Sequence, residues 1–272
     1  METYSIAGLV FSENSVPEPD DGVYAPPVWF SHLNELIIGE DYVQKFYRSS
    51  RSDLTQKVWS RFGSIYPQSY SSPQERKGRE EEVLKTLYEA GLPVPKVISS
   101  DVDSIRMEKV PGAQLNEVYQ NPKTKKETKQ KLVKASGKLM REIHNTGEHH
   151  GEPLVKQFML DYEGDDVNAA VADDKFKLYA LDFELAIKAY PGFEKDIDNY
   201  IHTISAACST GLTYRELLES YEEGYGKKID GKLFRESFQL KIYLLARGLL
   251  QPGGACSRER FTEIYDVLYN ER

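Results

Sequence analysis

The chain has 272 residues and a formal net charge of -8, with 40% hydrophobic and 29% charged residues. That is enough chain for one large domain or two lobes with a sizeable core, and too apolar a composition for intrinsic disorder. The acidic balance excludes nucleic-acid binding through a broad basic footprint, so nucleic acid is not expected as a direct ligand.

Locally, Lys123, Lys125, Lys126, Lys129, Lys131 and Lys134 form a basic run, expected to be a solvated helix face. Two distant cysteines, Cys208 and Cys256, without a CxxC pair argue against a disulfide framework or a cysteine zinc site. The N-terminal METYSIAGLVFSENS has no basic region followed by a long apolar run. No apolar stretch reaches the roughly 18 residues of a spanning helix. A protein of the reducing cytoplasm is expected.

In chain order, residues 34–39 and 42–48 are two strand-forming runs joined at Gly39-Glu40-Asp41, a hairpin pattern. Residues 49–73 are a polar segment rich in Ser, Arg and Tyr, expected as an insertion around one short helix. A long helix is predicted over 74–90, with Glu80, Leu84 and Leu87 on one face and a stop at Gly91 before Pro93 and Pro95. Ile98 and residues 105–110 read as strands. Past Pro111-Gly112, helical spacing of Leu132, Ala135, Leu139 and Ile143 predicts a helix ending near Gly147. Two short apolar runs follow, at 158–160 and 176–183. From about Phe193 onward the pattern is helical, broken at Gly211, Gly226 and Gly253-Gly254. Strands early and helices late give an α+β fold.

Four features could carry chemistry. Alternation along Tyr42–Tyr47 puts Lys45 on a strand face with Val43 and Tyr47, an expensive place for an ammonium unless an anion meets it. Glu80, on the inward face of the next long helix, can pair with it and aim the ammonium at phosphate oxygens. His144, His149 and His150 with Glu148 and Glu152 invite a metal reading, but HExxH spacing is absent and Gly147, Gly151 and Pro153 make this a loop. Asp182 ends the apolar run Tyr179-Ala180-Leu181, a suitable place for a magnesium ligand. The acidic stretch 161–166 lacks the glycine position of a calcium loop and is expected to be an enlarged turn between two strands.

Taken in order, Lys45, Arg79-Glu80, Gly91-Leu92-Pro93-Val94-Pro95, Met107-Glu108, His144, His150-Gly151-Glu152 and Asp182-Phe183-Glu184 resemble the atypical kinase superfamily. Aminoglycoside phosphotransferases, RIO-type kinases, lipopolysaccharide sugar kinases and the small kinase of the KEOPS tRNA-modification complex belong to it. The resemblance covers about residues 34–201. It implies a two-lobed protein-kinase-like fold. Residues 1–109 would be a small antiparallel sheet lobe with one long helix, and 110–272 a larger helical lobe.

It further implies ATP and Mg2+ in the cleft. Lys45, held by Glu80, would contact the phosphates; Val43 would flank the adenine; and Met107, Glu108 and Lys109 would connect the lobes. Glu152 would stand at the catalytic aspartate, Gln157 and Asp182 at the metal ligands, and Asp196 at an aspartate bracing the catalytic loop. Three departures matter: Glu for Asp at 152, Gln for Asn at 157, and no G-x-G-x-x-G in residues 24–39. The expected activity is transfer of the γ-phosphoryl group to a hydroxyl acceptor, with a serine or threonine protein favoured over a sugar or other small molecule. A scaffolding module that kept the fold and lost turnover is the competing reading. Protein partners are compatible with either.

Overall fold

The computed structural model describes residues 28–30, 34–48, 72–186, 194–230 and 257–270. Residues 49–71 of the polar segment expected as an insertion and the Gly253-Gly254 break lie outside them, while Ser72 and Pro73 belong to the start of the following helix. Strands β1 (Val28–Phe30), β2 (Asn34–Ile38) and β3 (Tyr42–Tyr47) are followed by helix α1 (Pro73–Glu89) and the β4 (Val97–Ser100) and β5 (Ser104–Glu108) pair. They form one antiparallel sheet in the order β1-β2-β3-β5-β4. The expected hairpin closes where the Gly39 amide donates to the Tyr42 carbonyl at 2.9 Å. Its register sets Lys45 between Leu36 on β2 and Ile105 on β5, in the middle of the sheet.

Helix α1 starts at a capping box. Ser72 Oγ accepts from the Glu75 amide and Glu75 Oε2 accepts from the Ser72 amide, with Pro73 in the first turn where no amide is missed. It ends as expected at Gly91, whose φ of +77° suits a residue without Cβ, and the Leu92 amide closes back on the Leu87 carbonyl. One face buries Arg76, Glu80, Val83, Leu84 and Leu87. Two charged residues on a buried face require partners, and those partners define the site below.

The remaining described elements form the helical part. They are β6 (Ala113–Gln114), α2 (Leu115–Gln120), α3 (Lys126–Asn145), β7 (Phe158–Tyr162), α4 (Val167–Ala172), β8 (Phe176–Ala180), α5 (Glu194–Thr210), α6 (Tyr214–Tyr225) and α7 (Arg258–Asn270). Strands β6, β7 and β8 make a second small antiparallel sheet. The entry to β6 needs glycine: Gly112 has φ +103°, and a Cβ there would lie 2.1 Å from the Leu160 carbonyl oxygen. Helices α3 and α6 pack backbone to backbone through Gly137 and Gly224, where added Cβ atoms would meet the Tyr221 and Lys134 carbonyls at 2.3 and 1.9 Å.

The connection after β7 holds more than a turn. Asp166 caps α4 by accepting from the Asn168 amide at 2.8 Å, and the Val-Asn-Ala-Ala-Val-Ala run then completes a short helix. The basic run is tied down rather than offered to a ligand: Lys126 to Glu216, Lys129 to the Thr210 carbonyl, Lys131 to Asp174, and Lys134 to Glu223. Cys208 on α5 is disulfide-bonded, against the reduced state expected; the one other cysteine of the sequence, Cys256, lies outside the described residues. Among the described residues, no helix is long and apolar enough to cross a membrane.

Candidate active site

Three side chains remote in sequence meet at Lys45. Its ammonium lies 2.7 Å from Glu80 Oε2, 2.6 Å from Asp182 Oδ1 and 3.4 Å from Glu184 Oε2. Strand alternation puts Lys45 and Tyr47 on the face toward α1, and the Tyr47 hydroxyl donates to the same Glu80 oxygen at 2.5 Å. Burial works against charge on Lys45, but Asp182, Glu184 and Glu80 outweigh it and hold its pKa well above the ordinary value. Glu80 is shifted upward by burial, opposed by Lys45 and reinforced by Asp182 and Glu184. For Asp182, burial pushes up; the Lys45 charge, with hydrogen bonds from Lys45 and Gln157, wins and brings the carboxyl down to about 2. Asp182 is also one of two described non-glycine residues with positive φ, at +64°. Its side chain is 36% exposed, whereas those of Lys45 and Glu80 are 6% and 1%. Asp182 is therefore the member of the cluster that can turn to a ligand.

Carboxylate oxygens of Glu80, Asp182 and Glu184 lie within 4.8 Å of one another. They are hard donors of the kind Mg2+ selects, so the residues fit such an ion at Asp182. The histidine cluster does not form a metal site among the described residues. His150 is fully buried between Phe158 and Phe183, with ring centroids at 5.7 and 4.6 Å, and burial lowers its pKa against the pull of Asp198 and Asp182.

The loop between α3 and β7 is braced from α5, by Asp198 and not by the expected Asp196. Asp198 Oδ2 accepts from the His150 amide at 2.6 Å, Oδ1 accepts from the Gly151 amide at 2.9 Å, and His144 Nε2 lies 3.2 Å from Oδ2. Residues 197–207 of α5 are all buried, so an apolar pattern could not say which acid faces the loop. Gly151, at φ +87°, presses on the Leu185 carbonyl, where a Cβ would come within 2.0 Å. Glu152 follows directly and is 8% exposed. Its neighbour Pro153 is held by His202 at 3.0 Å; a carbonyl only accepts, so Nδ1 carries the proton, and Nε2 lies 2.8 Å from the Ser136 hydroxyl.

Gln157 sits in a short 3-10 turn, Val155–Gln157. Its Oε1 accepts from the Leu154 amide and its Nε2 donates to Asp182 Oδ2, both at 2.9 Å. It thus presents a donor to Asp182, orienting that carboxylate. At the other end of the site, Val43 pairs with Met107 across β3 and β5, and Met107 is 8% exposed. The amides of Glu108 and Lys109 are already spent on the Lys96 and Asp41 carbonyls, at 2.9 and 3.0 Å.

Arg76, Glu184 and Asp198 were not legible as site residues. The one sequence signal for Glu184 is its place in Asp182-Phe183-Glu184, and for Arg76 a cation one helical turn before Glu80.

A sequence model of the lipopolysaccharide kinase (Kdo/WaaP) family matches residues 64–198. The chain is 27% identical over 150 residues to the EKC/KEOPS complex subunit BUD32 of Encephalitozoon cuniculi strain GB-M1, a match covering 55% of this chain and 66% of that protein. The chain thus spans slightly less than two thirds of the curated relative it matches. Its fold is similar to the solved structure of WaaP in complex with acyl carrier protein, with TM-score 0.51, 18% identity, and coverage of 80% of this chain and 86% of that one. Sheet, helix and loop contacts agree with these likenesses: the chain has a kinase-like fold and is similar to the lipopolysaccharide kinase (Kdo/WaaP) family over residues 64–198.

Proposed function

We propose that the chain transfers the γ-phosphoryl group of Mg-ATP to a hydroxyl acceptor. The observation that carries this reading is the convergence of Lys45, Glu80 and Asp182 on one point. Residues 1–109 would form the nucleotide-binding lobe and 110–272 the lobe bearing the catalytic loop and acceptor site.

Lys45, kept charged by its carboxylates, would hold phosphate oxygens once Asp182 releases it. Glu80 keeps the ammonium aimed, and Tyr47 keeps Glu80 aimed. Bound at Asp182, Mg2+ supplies positive charge to the phosphates. Gln157 fixes the Asp182 carboxylate; its own oxygen joins as a ligand only if it lets go of the Leu154 amide. Val43 and Met107 would line the adenine side, with main-chain carbonyls around Glu108 and Lys109, whose amides are already paired, meeting the base edge. Glu152 would accept the proton of the acceptor hydroxyl as its oxygen forms the new P–O bond and ADP departs. Positioning and fixed charge supply most of the acceleration in such a transfer.

A serine or threonine side chain is the acceptor we favour, because Glu80, Asp182 and Glu184 are paired with Lys45 and Arg76 rather than gathered for a polycationic small molecule. A sugar hydroxyl is the second reading, favoured by the match to the lipopolysaccharide kinase family. The experiment is incubation with Mg2+ and γ-labelled ATP, against candidate proteins and sugars, of the wild type and of Glu152→Ala. Label transfer lost in the variant, with its fold intact, supports the reading. Transfer unaffected by the variant removes Glu152 as the base, and silence of the wild type with every acceptor leaves the scaffolding module.

A further inference from the structure

Glu184 is one of the most heavily used groups in the site. A single oxygen, Oε2, accepts from Asn34 Nδ2 at 2.6 Å and from Arg76 Nη1 at 2.9 Å, and lies 3.4 Å from Lys45 Nζ. Those donors come from β2, α1 and β3. Asn34, Arg76, Lys45 and Glu184 are 5%, 4%, 5% and 7% exposed. Arg76 also donates to Asn34 Oδ1 at 3.2 Å and to the Arg48 carbonyl at 2.7 Å, so its guanidinium is committed on both arms. One turn along α1, Arg79 donates to the Ala186 carbonyl and to Glu148, adding a second tie from the helix to the same segment and to the loop before Glu152.

We propose that Glu184 is a positioning residue, which locks the 182–186 segment onto α1 and the sheet and keeps a standing counter-charge on Lys45. The inference rests on the phosphotransferase reading and deepens it. Two physical arguments carry it. Asp182 is held at φ +64°, a left-handed conformation that aspartate tolerates better than most side chains and that its surroundings still help to hold. Two residues later Glu184 supplies that constraint through three donors. When Asp182 turns from Lys45 to a ligand, Lys45 loses one of three carboxylates, and Glu184 remains beside Glu80 to keep it charged and aimed. Glu184 thus ties helix, strand lysine and metal-side acid into one cluster.

The test uses the full chain with Glu184→Gln, Arg76→Met and the double variant, with γ-labelled ATP as probe and water or the chain itself as acceptor. Glu184→Gln is expected to lower kcat about tenfold or more while moving the KM for ATP far less, because it misplaces reacting groups. It is also expected to speed hydrogen exchange of the 182–186 amides in the nucleotide-free protein. The double variant, which leaves no orphaned charge, should recover the melting temperature and not kcat. Recovery of both would make the contact merely structural and overturn the inference, as would wild-type kcat and exchange in Glu184→Gln. If the wild type transfers no label at all, the phosphotransferase reading fails separately. Exchange then decides alone: faster exchange at 182–186 supports the lock, and unchanged exchange overturns it.

Discussion

The Lys45 ammonium sits 2.6 Å from Asp182 Oδ1, although 137 positions separate the two residues. The contact joins a strand of the first sheet to the segment after β8, with Glu80 at 2.7 Å on the other side of the ammonium. Removing the cation leaves Glu80, 1% exposed, without its neutralising partner. Lys45→Met should therefore cost about 3 kcal/mol or more of stability, measured by chemical denaturation, as well as abolishing transfer. Glu80→Gln, made in the same variant, should recover part of that loss without restoring activity.

Asp198 and Asp196 offer a paired test of the loop brace. Asp198→Ala strips acceptors from the buried His150 and Gly151 amides, and should destabilise by about 2–4 kcal/mol with loss of activity. Asp196 is only partly buried, and Asp196→Ala should change both by far less. Equal effects in the two variants would contradict the assignment.

Much of this fold was legible in the sequence, and the reasons differ by element. Helix α1 announced itself through the shared face of Glu80, Leu84 and Leu87 and the stop at Gly91, while its Ser72 cap and Pro73 read as part of the polar segment before it. Lys45 and Glu80 could be read because a charge on an apolar face demands a partner. Helix α4 and the bracing acid could not. The first rests on one Asp166 cap inside an acidic stretch, and the second on the orientation of a helix buried over 197–207. Glu184 stayed hidden because its partners Asn34 and Arg76 are 150 and 108 positions away, and no local pattern encodes that distance.

His202 gives the structure a pH dependence with a definite sign. Burial brings its imidazole from the ordinary 6.5 down to about 4, helped on by His150 and opposed by the Pro153 carbonyl and Asp198. The unfolded chain therefore binds a proton that the folded chain refuses between those values. This share of stability is complete above pH 6.5 and is lost as pH falls toward 4, by up to about 3 kcal/mol. Denaturation between pH 7 and 4 should show that fall, reduced in His202→Gln. Since His202 holds Pro153 beside Glu152, activity should fall over the same window.

Two glycines in helices should respond in opposite directions to the same methyl group. Gly224→Ala drives a Cβ into the Lys134 carbonyl at 1.9 Å and should destabilise the α3–α6 contact by about 1–3 kcal/mol or more. Gly78→Ala, on the exposed side of α1 with nothing within 4 Å of its Cβ, should stabilise by about 0.5–1 kcal/mol. Thermal melts of both variants check the pair.

Calorimetric titration of ATP with Mg2+ into the wild type and Asp182→Asn tests most directly whether Lys45, Glu80 and Asp182 surround a nucleotide. The expected result is saturable, magnesium-dependent binding that weakens about a hundredfold in the variant. Binding indifferent to Asp182, or no binding by the folded wild type, would contradict it.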